Sequence, residues 1–315
     1  MVEYNQKMKI GLIGCGYLGK IHAKCIKEVK NLELVGVYDI SKEAAEETAK
    51  QFDTVAYSNL QELIVHCDVV DIVSATITHF ELAQIAIKAG KHCFIEKPLT
   101  ATVDEAEKLI NLAKKHDVMI QVGHVERYNP SFIAALPHIS NPLFIETHRL
   151  CKFNLRGTDV SVVHDLMIHD IDLVLSLMQS EVIATHAVGY KFLTDSLDIA
   201  SAQLHFVNGG VANLNVSRVS SQPVRKMCIY QPKNYITVNF QEKKVEKNEF
   251  DNTQTIITAI PIMEHNAIVE ELSDFIHTIQ HKRVPKVTVS DGLNALRIAD
   301  KVFTVILHQN YHSVK

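Results

Sequence analysis

Hydrophobic and polar positions follow two different rhythms along this chain. Up to Val122, short and nearly continuous apolar runs recur at Met8–Ile13, Leu32–Tyr38, Asp68–Ala75, Lys91–Ile95 and Val118–Val122. Such runs suit strands covered on both faces, as in a parallel sheet. Between them, apolar residues fall at helical spacing. Leu18, Ile21, Cys25, Ile26 and Val29 form one stripe; Leu82, Ile85, Ala86 and Ala89 form another, stopped at Gly90. Three helix starts carry capping-box pairs, in which a hydroxyl and a later side chain satisfy exposed N–H groups: Ser58 with Gln61, Thr78 with Glu81, and Thr102 with Glu105. The alternation predicts a doubly wound parallel α/β domain over residues 1–122.

Beyond Val122 the rhythm changes. A helical stretch is predicted from Val163 to Met178. Ile199–Val219 then alternates, with Ala202, Leu204 and Phe206 on one side and Ser201, Gln203 and His205 on the other. The Asn208-Gly209-Gly210 turn and the return through Ala212, Leu214 and Val216 make this an antiparallel hairpin. Residues 224–260 read as further strands. Ile268, Leu272, Phe275, Ile276 and Ile279 stripe one helix, and a last helix runs from Gly292 to Leu307. A second α/β domain, with mainly antiparallel strands, is expected over 123–315.

Composition narrows the function. A formal net charge of −4 argues against nucleic acid or an anionic membrane as partner. No apolar run approaches the ~20 residues that span a bilayer, and the first residues lack a secretory pattern. The six cysteines form no C-x-x-C pair and are widely spaced, which suits reduced thiols in a cytoplasmic protein.

The first chemistry-bearing motif follows the first strand. Gly14, Gly16 and Gly19 have G-x-G-x-x-G spacing and open a helix. This arrangement lets the chain turn tightly, lets backbone approach a pyrophosphate, and packs helix on strand. Asp39 ends the second strand, 20 residues beyond Gly19, where a carboxylate bonds an adenosine ribose. A carboxylate there repels a 2′-phosphate and favours NAD over NADP, while nearby Lys42 leaves NADP open. A second motif, Glu96-Lys97-Pro98, stands at the carboxyl end of a predicted strand, where open α/β sheets bind ligands. Lys97 there is either a surface-turn lysine or, beside a bound cofactor, a donor to a substrate oxygen.

The third motif is Val162–Val174, "VVHDLMIHDIDLV". On an α-helix Asp165, His169 and Asp172 share one face, and Asp170 lies about 100° round from His169 as a structural or solvent-facing acid. Three readings compete. A metal site fits poorly, because His164 and His169 are five apart rather than four. A core helix with a satisfied histidine is the second. The third is an acid–base pair in which Asp165 orients His169.

Together, "GLIGCGYLG", Asp39, "THFELAQIAIKAGKHCFIEKP" and "HDLMIHDID" resemble the Gfo/Idh/MocA oxidoreductase family over nearly the whole chain. The resemblance implies a Rossmann domain followed by an α/β domain with a large open sheet. It implies hydride transfer between NAD(P) and a hydroxyl or carbonyl of a sugar or polyol. It assigns Lys97, His169 and Asp165 to catalysis and implies a cis Lys97–Pro98 bond. It places Tyr17, Leu18, Thr76, His79, Glu96 and Lys97, with the glycines and Asp39, around the cofactor. No metal is implied. "GHVERYNPSF" and "HRLCKFNLRGTD" resemble the branch that includes UDP-N-acetylglucosamine 3-dehydrogenases. Arg127, Tyr128, Arg156 and Asp172 are the substrate-binding candidates, with Arg149 beside them. The arginines either meet a sugar diphosphate or serve in salt bridges. Relatives assemble as homodimers or homotetramers through the open sheet. The same fold also serves as a dinucleotide-binding regulator without turnover, which stays the alternative.

Overall fold

A computed structural model describes residues 7–154, 160–251 and 254–312 and divides into two units. The first takes the chain up to Val125 together with Asn266–Leu293; the second takes Glu126–His265 and the chain from Asn294 onward. The division at residue 122 is thereby corrected, because a late segment returns to the first unit. An amphipathic stripe shows that a helix buries one face without showing against what. Here Leu272, Phe275 and Ile276 enter the first core, and the Phe275 ring lies 6.1 Å from that of Phe94.

The first unit is a five-stranded parallel sheet of β1 (Met8–Ile13), β2 (Leu32–Tyr38), β3 (Val69–Ile72), β4 (His92–Glu96) and β5 (Ile120–Gly123), in the order β2-β1-β3-β4-β5. Ala56 bridges to Val37 and extends the β2 edge by one residue. Helices α1 (Tyr17–Glu28), α2 (Lys42–Phe52), α3 (Leu60–His66), α4 (Thr76–Lys88) and α5 (Val103–His116) connect the strands. Strand order reverses between β1 and β3, which opens a crevice at their carboxyl ends. The run expected over Asp68–Ala75 is shorter as a strand. Asp68 caps its start by accepting the Lys9 N–H at 2.9 Å, and Ala75 already serves as the N-cap of α4.

Of the three capping boxes, only Thr102–Glu105 closes both of its bonds, at 3.3 and 3.1 Å. At α3 the cap is Asn59, whose side chain accepts from Gln61 N at 2.8 Å. At α4 the helix begins two residues before Thr78, whose hydroxyl donates back to Ala75 O at 2.7 Å. In both cases a residue other than the expected hydroxyl takes the N-cap position, Asn59 at α3 and Ala75 at α4.

The second unit is built on an eight-stranded sheet of β6 (Phe144–Leu150), β7 (Val182–Tyr190), β8 (Ile199–Phe206), β9 (Val211–Ser217), β10 (Val224–Gln231), β11 (Asn234–Asn239), β12 (Lys244–Asp251) and β13 (Gln254–Ile260). The order is β13-β12-β11-β10-β6-β9-β8-β7, antiparallel except for the β6–β9 pair. Helix α6 (Pro130–Ala135) precedes β6, and α7 (Ile168–Met178) lies between β6 and β7. Helix α8 (Ala267–Gln280) is the segment returned to the first unit, and α9 (Val289–His312) ends the described chain. Ala202, Leu204, Phe206, Leu214 and Val216 are buried, in one core with Ile171, Val174 and Ile306. On the opposite face Ser201 donates to Asn215 and Gln203 to Asn213, each at 2.9 Å, so a polar ladder tiles the strands.

Candidate active site

The glycine loop folds as it does because each glycine meets a different constraint. Gly14 has φ +102°, and a Cβ there would stand 2.6 Å from the Val73 carbonyl oxygen. A Cβ on Gly19 would lie 1.9 Å from the Gly14 carbonyl oxygen, so only glycine lets α1 pack this closely. Gly16 faces open space within 4 Å. It borders a cleft of about 410 Å³ that is also lined by Gly14, Asp39, Ile40, Ser74 and Thr78. Tyr17 and Leu18 begin α1 and are exposed, at 65% and 38%.

Asp39 does two things here. Its Oδ2 accepts the Cys15 N–H at 2.7 Å and its Oδ1 the Ser41 N–H at 2.8 Å, so it clamps the glycine loop to the end of β2. Each carboxylate oxygen keeps a further lone pair for a ribose hydroxyl. Spacing suggests a ribose contact and does not show the clamp. The open edge at Gly16, the N–H groups at the start of α1 and the Asp39 carboxylate together fit a dinucleotide. Asp39→Ala should therefore weaken NADH binding by about 10- to 100-fold, the range expected when a charged hydrogen bond is lost. Fluorescence titration checks this, and an unchanged dissociation constant would remove Asp39 from the ribose site.

Lys97 follows β4 directly and is half-buried, and the Lys97–Pro98 peptide is cis. Two buried side chains hold the turn. Glu96 Oε2 accepts the Lys97 N–H at 3.1 Å. His79 sets Nδ1 2.9 Å from Pro98 O and Nε2 3.1 Å from Ser74 O, joining this turn to the one before α4. Burial keeps the His79 ring below the usual imidazole range, and it is 1% exposed. His79, expected near the cofactor, is buried and meets the carbonyls of Pro98 and Ser74. Thr76 opens α4, half-buried.

In the second unit the helix of the third motif is not uniform. Val163–Met167 is wound as a π-helix and Ile168–Met178 as an α-helix. A π turn closes its bonds over five residues, so Asp165 and His169, four apart, stay near one face while the phase between them differs from that of an α-helix. Single π turns in α-helices often mark functional sites. Asp165 and His169 are both half-buried. Cys151, just past β6, is close enough to feel the Asp165 charge, which adds to burial in raising its thiol. His164 turns away, with Nε2 2.7 Å from Asp300 Oδ1 and its ring 5.3 Å from Phe303.

The neighbouring acids are occupied by arginines. Arg127 grips Asp172 through Nε at 2.6 Å and Nη2 at 2.8 Å, and Asp172 is 1% exposed. Arg149 donates Nη2 to Asp170 at 2.7 Å and Nη1 to Glu126 at 3.0 Å, and Arg225 reaches Glu126 as well. Burial raises the Glu126 carboxyl, but Arg149 and Arg225 outweigh it and hold it below its ordinary value. The arginines take the salt-bridge alternative: Arg127 and Asp172 bind each other, and Arg149 lies in a buried network that Asp170 faces as a structural acid. Tyr128 is 1% exposed, a core residue. Arg156 lies outside the described residues. No local signal marked Glu126, Asp300 or Cys151, because the charged groups they face here (Arg149, His164 and Asp165) lie 14 to 136 positions away. Among the described residues no three His, Cys, Asp or Glu side chains are grouped to hold a metal ion, and no helix is long and apolar enough to cross a membrane.

Residues 8–124 match the model of the oxidoreductase family with an NAD-binding Rossmann fold, and 152–237 match the GFO/IDH/MocA C-terminal domain. The UDP-N-acetylglucosamine 3-dehydrogenase of Acidithiobacillus ferrooxidans is 34% identical over 285 residues, covering 88% of this chain and 90% of that protein. The chain belongs to the Gfo/Idh/MocA family. A solved structure of the same A. ferrooxidans enzyme, GnnA, superposes with a TM-score of 0.91 over 95% of this chain and 98% of its own. The myo-inositol 2-dehydrogenase of Thermotoga maritima is 26% identical over 311 residues, covering 92% and 93%. This Gfo/Idh/MocA protein is thus an oxidoreductase whose NAD-binding Rossmann domain carries the glycine loop, Asp39 and Lys97.

Proposed function

We propose that the protein is an NAD-dependent dehydrogenase acting on the 3-hydroxyl of a UDP-N-acetylhexosamine, or on the matching ketone in reverse. The observation that carries this reading is 34% identity spread over nearly the full length of a UDP-N-acetylglucosamine 3-dehydrogenase. Asp39, bordering the cleft, supports NAD over NADP, since its charge disfavours a 2′-phosphate.

Bound NAD supplies the hydride acceptor at nicotinamide C4. The chain's own residues position the alcohol and handle its proton. His169 takes the hydroxyl proton, and Asp165 orients or assists it. Lys97 donates to the same oxygen and stabilises charge that develops there. Buried arginine pairs at Asp170 and Asp172, just beyond His169, anchor the start of α7 that carries it. The six free thiols support a cytoplasmic setting. The polar face of the second sheet supports a homodimer or homotetramer.

The test is NADH formation with a panel of UDP-sugars, inositols, glucose 6-phosphate and free hexoses, beside parallel titrations of NADH and NADPH. Turnover is expected with a UDP-N-acetylhexosamine. Tight NADH binding without turnover on any of these would favour the regulator. Tighter NADPH than NADH binding would overturn the cofactor assignment.

A further inference from the structure

Helix α1 carries a buried histidine that no part of the glycine motif requires. His22 is 0% exposed and lies three residues beyond Gly19. Its Nδ1 is 2.9 Å from Asp71 Oδ2, in the middle of β3. Its Nε2 is 3.3 Å from Glu96 Oε1, an ion-pair distance without the alignment of a full hydrogen bond. The Phe94 ring lies 5.9 Å away. Glu96 uses its other oxygen for the Lys97 N–H. Gly123 leaves room for this carboxylate, since a Cβ there would stand 2.6 Å from Oε1. One imidazole therefore connects the helix of the dinucleotide loop to the carboxylate that holds the Lys97 peptide.

The electrostatics agree with that geometry. Burial disfavours an imidazolium, but Asp71 and Glu96 outweigh it and raise His22 well above its ordinary range. Burial also raises Glu96, and there His22 and Lys97 outweigh it and keep the carboxyl low. Asp71 is raised by burial in spite of His22, and its Oδ1 has no hydrogen-bond partner. The groups facing this cluster are Lys97 on its own turn, Cys25 on α1 and His79 on α4. A cation thus sits between two buried carboxylates, where apolar side chains of similar volume commonly give equal or greater stability.

We propose that His22 is a positioning residue for Lys97: by gripping the Glu96 carboxylate it fixes the Glu96–Lys97–Pro98 turn against the cofactor helix. The proposal rests on the role assigned above to Lys97.

Its test reads the contact and the turn separately from turnover. In the wild-type protein, nitrogen NMR of His22 should show both ring nitrogens protonated at neutral pH. In His22→Gln, the Glu96 carboxyl, followed by carbon NMR and assigned with Glu96→Gln, should titrate higher by about one pH unit or more, the size of a tenfold change in ionisation. The Lys97 amide should exchange faster with solvent. Turnover should fall by about tenfold or more with the NADH dissociation constant unchanged within about twofold, and adding His22→Gln to Glu96→Gln should cost nothing further.

A neutral His22 in the wild type overturns the proposal. So does a Glu96 titration or a Lys97 exchange rate unmoved in the variant. If His22→Gln does not fold, the wild-type ring measurement and Lys97 exchange in Glu96→Gln, where no acceleration would count against the turn, still decide. If the wild type turns over no sugar, the proposed function fails while these measurements stand.

Discussion

Lys97→Ala is expected to lower kcat by about 10²–10³-fold, the usual cost of removing one donor aimed at developing oxyanion charge. The NADH dissociation constant should stay close to wild type, because the cleft is lined by the glycine loop, Asp39 and the start of α4 rather than by the lysine. The turn itself should survive. Glu96 holds it through the Lys97 backbone N–H and His79 approaches the Pro98 carbonyl, and neither contact uses the lysine side chain. His169→Ala belongs to the same experiment. Loss of a positioned base costs about 10²–10⁴-fold, and His169 is not part of the arginine pairs that hold its helix. Steady-state kinetics on the substrate found in the panel, with NADH titrations alongside, checks both. Near-wild-type turnover by either variant would remove that residue from the mechanism.

Arg149→Leu should have the largest effect on stability. Arg149 is 6% exposed, and its guanidinium serves Asp170 on α7 and Glu126 after β5. Taking one partner from a buried ion pair costs about 3–5 kcal/mol, because the charge left behind is neither paired nor solvated. Here two carboxylates are left, with Arg225 still beside Glu126. A leucine fills part of the space but supplies no donor. Neutralising the orphaned acids in Arg149→Leu/Asp170→Asn/Glu126→Gln should restore part of the loss, since the penalty belongs to the unpaired charges rather than to missing volume. Urea unfolding of the three proteins measures this. A loss below about 1 kcal/mol for the single variant would show that water reaches the network and that its pairs behave as surface ones.

The two sheets differ in how much of them could be read from residues alone. Strands β1 and β2 run over the expected residues, because each is a continuous apolar run ended by a residue with its own signal: Gly14 after one, Asp39 after the other. The hairpin of β8 and β9 was legible for a similar reason, since alternation and an Asn-Gly-Gly turn agree. The cofactor loop was legible too, as its glycine spacing is contained within six residues. The helix of Val162–Val174 was only partly so. Its apolar face was clear, but a π turn leaves no periodic mark over five residues.

What local pattern settles in this protein, then, is the presence of a dinucleotide loop, a lysine at a strand end and a histidine on a packed helix. These rest on turn chemistry and periodicity, which act across a few neighbouring residues. The folded chain alone decides what the charged residues face. Arg127 closes on Asp172, Arg149 on Asp170 and Glu126, and His22 on Asp71 and Glu96, across separations of 21 to 74 residues. It also decides that α8 completes the first core. An arginine bound for a diphosphate and one bound for a buried carboxylate look alike in a sequence. Which it becomes depends on whether folding brings an acid within about 3 Å and excludes water from the pair.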